Sequence, residues 1–359
     1  MNEPLFVSSS PVFSVDGEDR GELARDLVFL QVEESVSGLK NLQARFVAIG
    51  ARGRGEREEL LYMDGEILDF GKALQVAIGP LSNQRTIFDG HITALEIHFE
   101  EAQEPELCVY AEDRLMDLRM TRRIRTYEEM SDADIASAIA SEHGMTPEVD
   151  VSGPTHDRIQ QLNMSDLAFL RERARLLQAE VWADGDTLHF KTRDRRQAAA
   201  QTLVRGNEII TLSACADLAH QRTQVHVSGY DANRREVIDE SVGEEAIQAE
   251  ITSGRSGPAV LQQAFGERIE RRLRETPLES SEASEWARAE MLRRARQFVV
   301  INGITSGSPD MTVGSALTLE RVGPVFEGEG YYVTHLKHTF DLAQGHRTHF
   351  EAERATVGD

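Results

Sequence analysis

What most limits the fold of this chain is a recurrence of short, alternating apolar runs broken at close intervals by turn residues. Leu27–Val32, Leu42–Ile49, Ala73–Ile78, Thr86–Thr93 and Ala94–Phe99 mix β-branched, aromatic and alternating apolar residues, the pattern of half-buried strands. Asp16-Gly17, Gly53–Gly55, Asp64-Gly65, Gly79-Pro80 and Asp89-Gly90 supply turn chemistry between or within these runs. Leu107–Ala111 reads as one further strand before the character of the chain changes.

From about Asp113 to Arg193 the pattern is mixed. Ser131 with Asp134 three residues on is a capping-box signal, and Ile135, Ala136, Ile139, Ala140 and His143 make one helical stripe ending at Gly144. A second helix opens at Ser165-Asp166 with Leu167, Leu170, Ala174 and Leu177 on one face and Arg171, Arg173 and Arg175 pointing elsewhere. Glu180–Ala183 and Thr187–Thr192 flank Asp184-Gly185 as a β-hairpin. Beyond a polar joint at Arg193–Gln201, strands are expected at Ile209–Ser213 and Val225–Tyr230. A helix is expected from Pro258 to about Leu273, after the Ser253–Gly257 loop, and another from near Ser284 with Ala287, Met291 and Ala295 on one side. Phe298–Ile304, Ala316–Val322, Tyr331–Phe340 and Arg347–Glu353 return to β.

The 359 residues exceed one ordinary core and predict two or three compact units. Apolar runs such as Phe298–Ile301 are far shorter than the ~20 residues that cross a bilayer. The start, Met1-Asn2-Glu3-Pro4, lacks the basic and apolar segments of a signal peptide, so folding and assembly in the cytoplasm are expected. The formal charge of −22 argues against sequence-specific nucleic-acid binding and against adsorption to an anionic membrane. It suits a solvated surface or the repelling wall of a channel. Cys108 and Cys215 share no metal or disulfide spacing and are expected as small buried thiols in a reducing compartment.

No catalytic constellation emerges. The pairs Glu33-Glu34, Glu128-Glu129 and Glu244-Glu245 are adjacent, so on a strand each pair diverges to opposite faces. His335, His338, His346 and His349 form two His-x-x-His pairs, but residues three apart on a strand also face opposite ways. A cross-hairpin pair such as His335 with His349 leaves a metal-dependent hydrolase as an alternative. Gly50–Gly55 is glycine-rich but lacks the following helix of a phosphate site, and reads as a surface loop. No catalytic, cofactor-binding or metal-binding residue is therefore assigned.

One combination of segments is distinctive. Gln161-Leu162-Asn163-Met164-Ser165-Asp166-Leu167-Ala168-Phe169-Leu170-Arg171-Glu172-Arg173-Ala174, followed by the hairpin Glu180-Val181-Trp182-Ala183-Asp184-Gly185-Asp186-Thr187-Leu188-His189-Phe190, resembles the phage late control protein D family. That family includes contractile-tail baseplate hubs and the N-terminal part of VgrG spikes. Ile87-Phe88-Asp89-Gly90-His91-Ile92 and Arg125-Thr126-Tyr127 resemble its upstream segments. Gly330-Tyr331-Tyr332-Val333-Thr334, His338-Thr339-Phe340-Asp341, Arg347-Thr348-His349-Phe350 and Arg354 resemble its closing hairpin.

The resemblance implies an α+β, mainly β subunit of a hub-like ring, with two tube-like β-barrel domains and an α/β insertion. By that analogy the first tube-like domain is 1–110 completed by 203–245, the insertion is 111–202, and the second tube-like domain is 246–359. It further implies a structural, non-catalytic homotrimer that adapts a sixfold tail tube to a threefold spike. Its partners would be a tail tube protein, a separate spike protein and other baseplate proteins, within a phage or injection-system particle. An adaptor whose insertion loads an effector is a further alternative. The residues of the trimer and tube contacts are not legible.

Overall fold

The computed structural model describes residues 10–50, 59–80, 84–196, 198–232, 234–272, 277 and 279–358. The expected turn at Gly53–Gly55 and most of the Gly50–Gly55 loop lie outside them. The expected class, α+β and mainly β, is the class of the fold. Its spine is a 13-stranded sheet, accompanied by smaller sheets. Six α-helices are described: α1 (Gly21–Asp26), α2 (Leu115–Met120), α3 (Asp132–Glu142), α4 (Asp166–Leu177), α5 (Gly257–Phe265) and α6 (Ser280–Arg296).

Leu27–Ser35 is the strand on which both ends of the chain meet. On one side it pairs antiparallel with Asn41–Val47. On the other it pairs with Gly328–Asp341, from His335 opposite Ser35 to Asp341 opposite Phe29. Its Leu30 and Val32 point into the core while Gln31 and Glu33 face outward, as a two-residue period requires. Leu27 is buried out of phase because the register shifts between Leu27 and Phe29, and an extra residue moves the following side chains to the other face.

Outward from this strand the first unit continues through Asn41–Val47, Glu106–Glu112, Arg85–His98, Ala73–Ile78 and Val12–Val15 to Glu18–Asp19. Phe13, Phe46, Val76, Phe88 and Val109 are among the residues of its core. The expected strands Thr86–Thr93 and Ala94–Phe99 are one strand, Arg85–His98, and Asp89-Gly90 is not a turn. Asp89 pairs with Gln75 and Gly90 with Leu74. The glycine is needed there for another reason. A Cβ on Gly90 would stand 2.2 Å from the Glu112 carbonyl oxygen, so the position answers to a close backbone approach, not to a turn.

The segment Leu115–Phe190 surrounds a separate core containing Tyr127, Ile135, Ile139, Leu170, Val181 and Phe190. The box at Ser131 is formed in both directions: the Ser131 hydroxyl accepts from the Asp134 N–H, and the Asp134 carboxylate accepts from the Ser131 N–H. Ser165 caps α4 by accepting from the Ala168 N–H. The hairpin Ala179–Asp184 with Thr187–Thr192 gains a parallel neighbour, Thr146–Asp150. A two-stranded ribbon, Arg122–Ser131 with Thr155–Ser165, was not expected, because its outward side chains are largely charged or polar and show no clear apolar alternation.

By the analogy 203–245 completes the first tube-like domain. Ala200–Val204 runs parallel to Ala316–Glu320, and Ile209–Ala216 pairs with Val299–Thr305. Leu203 accordingly joins Ile301, Leu317, Leu319, Tyr331 and Phe350 in the C-terminal core. Gln224–Asp231 pairs with Glu236–Gly243 and Ile269–Arg272. That small sheet is covered by α6 through Ala283, Ala287, Met291 and Ala295. The helix expected to reach Leu273 stops at Phe265, where Gly266 takes a φ of +71° and the chain turns toward the strand Ile269–Arg272.

Candidate functional site at the joint between units

The polar stretch beginning at Arg193 is where the separate cores are tied together. After the strand Thr187–Thr192 the chain makes a single 3-10 turn, Arg193–Arg195, which aims Arg193 and Arg196 inward. Arg196 donates to Glu34 at 2.6 Å and to Glu180 at 3.0 Å. Glu34 belongs to the strand Leu27–Ser35 and Glu180 to the hairpin strand Ala179–Asp184. The guanidinium lies 4.3 Å from the centre of the Trp182 ring, which itself stacks on His189. Arg193 donates to Glu353 of the C-terminal hairpin and packs 4.0 Å above the Tyr332 ring. The Tyr332 hydroxyl closes the circuit by donating to Glu180 at 2.9 Å.

Glu34, Glu180, Arg196 and Glu353 are all buried. Burial alone would raise the Glu34 carboxyl, but Lys40 at 3.1 Å and Arg196 outweigh it and hold Glu34 below the usual carboxylate range. Asp113, beside the same lysine, is pushed up to about 6 by burial even though the Lys40 and Leu115 N–H groups donate to it. This is a joint of three units made by two arginines. A crevice of about 400 Å³ borders it, lined by Arg193, Arg196, Arg296, Glu250, Tyr332 and Glu353 among others. Of its carboxylates, Glu353 pairs with Arg193, Glu250 with Arg296 and Asp194 with Arg195.

The arginines of α4 make two more ties. Arg171 donates to the backbone carbonyls of Ser37 (2.6 Å) and Gly38 (3.0 Å) in the first unit. Arg173 donates to Asp132, which holds His156, and His156 reaches Glu282 of α6 at 3.0 Å. Burial would lower the His156 pKa, but bonds to Asp132 and Glu282 prevail and raise it to about 9.

The histidines singled out near the C-terminus are not gathered into one site. His335 bonds Glu33 at 2.7 Å, and His349 stands opposite Lys337. The pair that meets is His338 with His346, Nδ1 to Nε2 at 3.1 Å, with the Thr348 hydroxyl 3.1 Å from the same Nδ1. Burial first, then the mutual repulsion of two cations, lowers His338 to about 3; burial and Arg347 lower His346 to about 4. They are packed as neutral rings. Of the adjacent glutamates, Glu33 faces outward to His335 while Glu34 turns inward to Arg196. Glu244 instead lies in a 3-10 turn with Glu245.

Among the described residues, two cross-strand pairs expose directly opposed apolar side chains. On the Arg122–Ser131 ribbon, Ile124 (81% exposed) stands opposite Leu162 (63%), with Met120 also exposed nearby in sequence. On the Gln224–Asp231 hairpin, Tyr230 (50%) stands opposite Val237 (78%). Each is a single cross-strand pair, smaller than the contiguous patches that mark interaction faces. Sequence reasoning passed over the first pair because Ile124 and Leu162 are single apolar residues among charged and polar neighbours.

A family model described as Alg8 N-terminal domain matches residues 42–341. The chain belongs to that family. The Alg8 N-terminal domain description differs from that of the late control protein D family, which the quoted segments resemble. No match is found among curated proteins. Among solved structures, the 43 kDa tail protein of prophage MuSo2 from Shewanella oneidensis is similar over 98% of this chain and 100% of its own, with 13% identity and a TM-score of 0.70. A tail protein from Neisseria meningitidis is similar over 98% of each chain, with 10% identity and a TM-score of 0.66. An Escherichia coli type VI secretion component, described as similar to T4 bacteriophage tail proteins, is matched over 91% of this chain and 73% of its own, with 12% identity and a TM-score of 0.55. This member of the Alg8 N-terminal domain family thus has the fold of phage tail and type VI secretion proteins.

Proposed function

We propose that the protein is a structural, non-catalytic hub in the baseplate of a contractile phage tail or a related injection system. Three copies form a ring that joins a tail tube on one side to a separate spike on the other. The observation that carries this reading is the extent of the structural likeness: the tail protein from Shewanella oneidensis superposes along its whole length. The internal organisation supports it. Two strand-built units share the central sheet through Leu27–Ser35 and Gly328–Asp341, so each copy contributes two sheet-based modules to a ring. A trimer would then present six, which meets a sixfold tube and a threefold spike with one subunit type.

The joint at Arg193 and Arg196 suits a part that bears load, because it fixes the units against one another with buried ion pairs. The exposed pairs Ile124/Leu162 and Tyr230/Val237 are the surfaces assigned to subunit or baseplate contacts. Negative-stain images of the purified protein test the proposal. Rings with threefold symmetry and an open centre are expected; particles without a central opening or rotational symmetry would refute it.

A further inference from the structure

The outward side of the first unit's sheet carries a group of metal-ligating side chains. Pleating puts Glu96 and His98, two residues apart on the strand Arg85–His98, on one face. The register sets Cys108 of the neighbouring strand directly opposite Glu96. One ligand atom from each of the three, a carboxylate oxygen, a ring nitrogen and the thiol sulfur, lies within 4.8 Å of the others. His98 Nε2 is already 3.6 Å from Glu96 Oε2.

Cys108 is unusual for a buried thiol. Its chain neighbours Leu107 and Val109 enter the core of the first unit, so Cys108 points the other way, toward the polar side of the sheet. Its charged surroundings are Glu96, Arg45 and Glu106. Cys108 is buried there, outside the cluster of side chains that packs the first unit's core. The His98 and Glu96 side chains are 44% and 51% exposed. The Tyr110 hydroxyl donates at 2.8 Å to Glu96 Oε2, the oxygen that faces His98, and orients the carboxylate, as partners outside the ligand set do in metal sites.

We propose that Glu96, His98 and Cys108 bind one zinc ion, with water in the fourth position. A thiolate, an imidazole and a carboxylate suit zinc, whereas calcium and magnesium require more oxygen ligands. Zinc–ligand bonds of about 2.0–2.3 Å place tetrahedral ligand atoms roughly 3.3–3.8 Å apart. The three atoms, now within 4.8 Å of one another, must draw together by roughly 1 Å to reach that size. On binding, the thiol loses its proton to solvent and the zinc–thiolate bond forms. The ion then clips adjacent strands on the outer face. The site lies within one subunit, so it stands or falls independently of the ring.

The test is a titration of the full chain with cobalt(II), followed by zinc. One cobalt per chain is expected, with thiolate-to-cobalt charge-transfer absorption that zinc abolishes. Cys108→Ser removes the band and Cys215→Ser retains it. Glu96→Gln and His98→Gln, at exposed positions that leave the fold intact, each weaken cobalt binding by more than about tenfold, since even partners outside the ligand set contribute that much. No charge-transfer band in the unmodified chain would overturn the proposal. A band that survives Cys108→Ser, or an affinity unchanged by His98→Gln, would do the same.

Discussion

Arg196 and Glu34 are 162 residues apart along the chain and 2.6 Å apart in the fold. The same guanidinium holds Glu180, so one side chain ties the strand Leu27–Ser35 to the hairpin strand Ala179–Asp184. Arg196→Met leaves two buried carboxylates without their shared cation. Removing one partner of a buried pair costs about 3–5 kcal/mol. The lower end is expected here, because Lys40 still reaches Glu34 and Tyr332 still donates to Glu180. Urea denaturation measures this directly. A loss below about 1 kcal/mol, the size of a surface pair, would show that the joint is not structural.

Gly90 gives a test of the central sheet. Gly90→Ala puts a methyl group 2.2 Å from the Glu112 carbonyl oxygen, and backbone atoms on paired strands have little room to withdraw. A loss of about 2 kcal/mol or more is expected, within the range of overpacking. Gly21→Ala is the control: nothing lies within 4 Å of the added atom and no left-handed φ is involved. It should change stability by less than about 0.5 kcal/mol. Equal effects would contradict the close-approach reading.

The buried pair His338 and His346 predicts a pH dependence of known sign. Both are lowered in the fold, to about 3 and about 4, whereas free histidine titrates near 6.5. Above about pH 6.5 both states are neutral and the pair is fully compatible with folding. As the pH falls below that value the unfolded chain takes up protons that the fold resists, so stability is progressively lost down to about pH 3. Comparing His338→Gln with the unmodified chain at pH 7.5 and pH 5 isolates the effect from the carboxylates. The variant should lose less stability between those pH values; an identical loss would mean that the histidines are not held neutral.

The strands were legible where burial is one-sided. Ala73–Ile78 and the hairpin around Asp184-Gly185 alternate because one face meets a core. Helix starts were legible at Ser131 and Ser165, where the capping chemistry is local. What escaped notice depends on distance or on context. Asp89-Gly90 carries turn residues yet sits in a strand, because the constraint on Gly90 comes from Glu112 across the sheet. Pairing of 200–216 with the C-terminal strands is a long-range choice that no local pattern encodes. Cys215, expected to be buried, is exposed. Arg193 and Arg196 read as a polar linker, since polarity alone does not reveal that their charges are buried against Glu353, Glu34 and Glu180.

Ile124 and Leu162 separate assembly from folding. Both already face water, so Ile124→Asp should leave thermal stability nearly unchanged, within about 0.5 kcal/mol. At a subunit contact the same change buries a charge and should displace the equilibrium toward smaller species, seen by analytical ultracentrifugation. An unchanged distribution would remove this ribbon from the contact.

The central claim is the trimeric ring, and its most direct measurement is the mass of the full chain by light scattering across a range of concentrations. A species of three times the 40.1 kDa chain mass is predicted, persisting on dilution. A mass of 40.1 kDa at every concentration would contradict it.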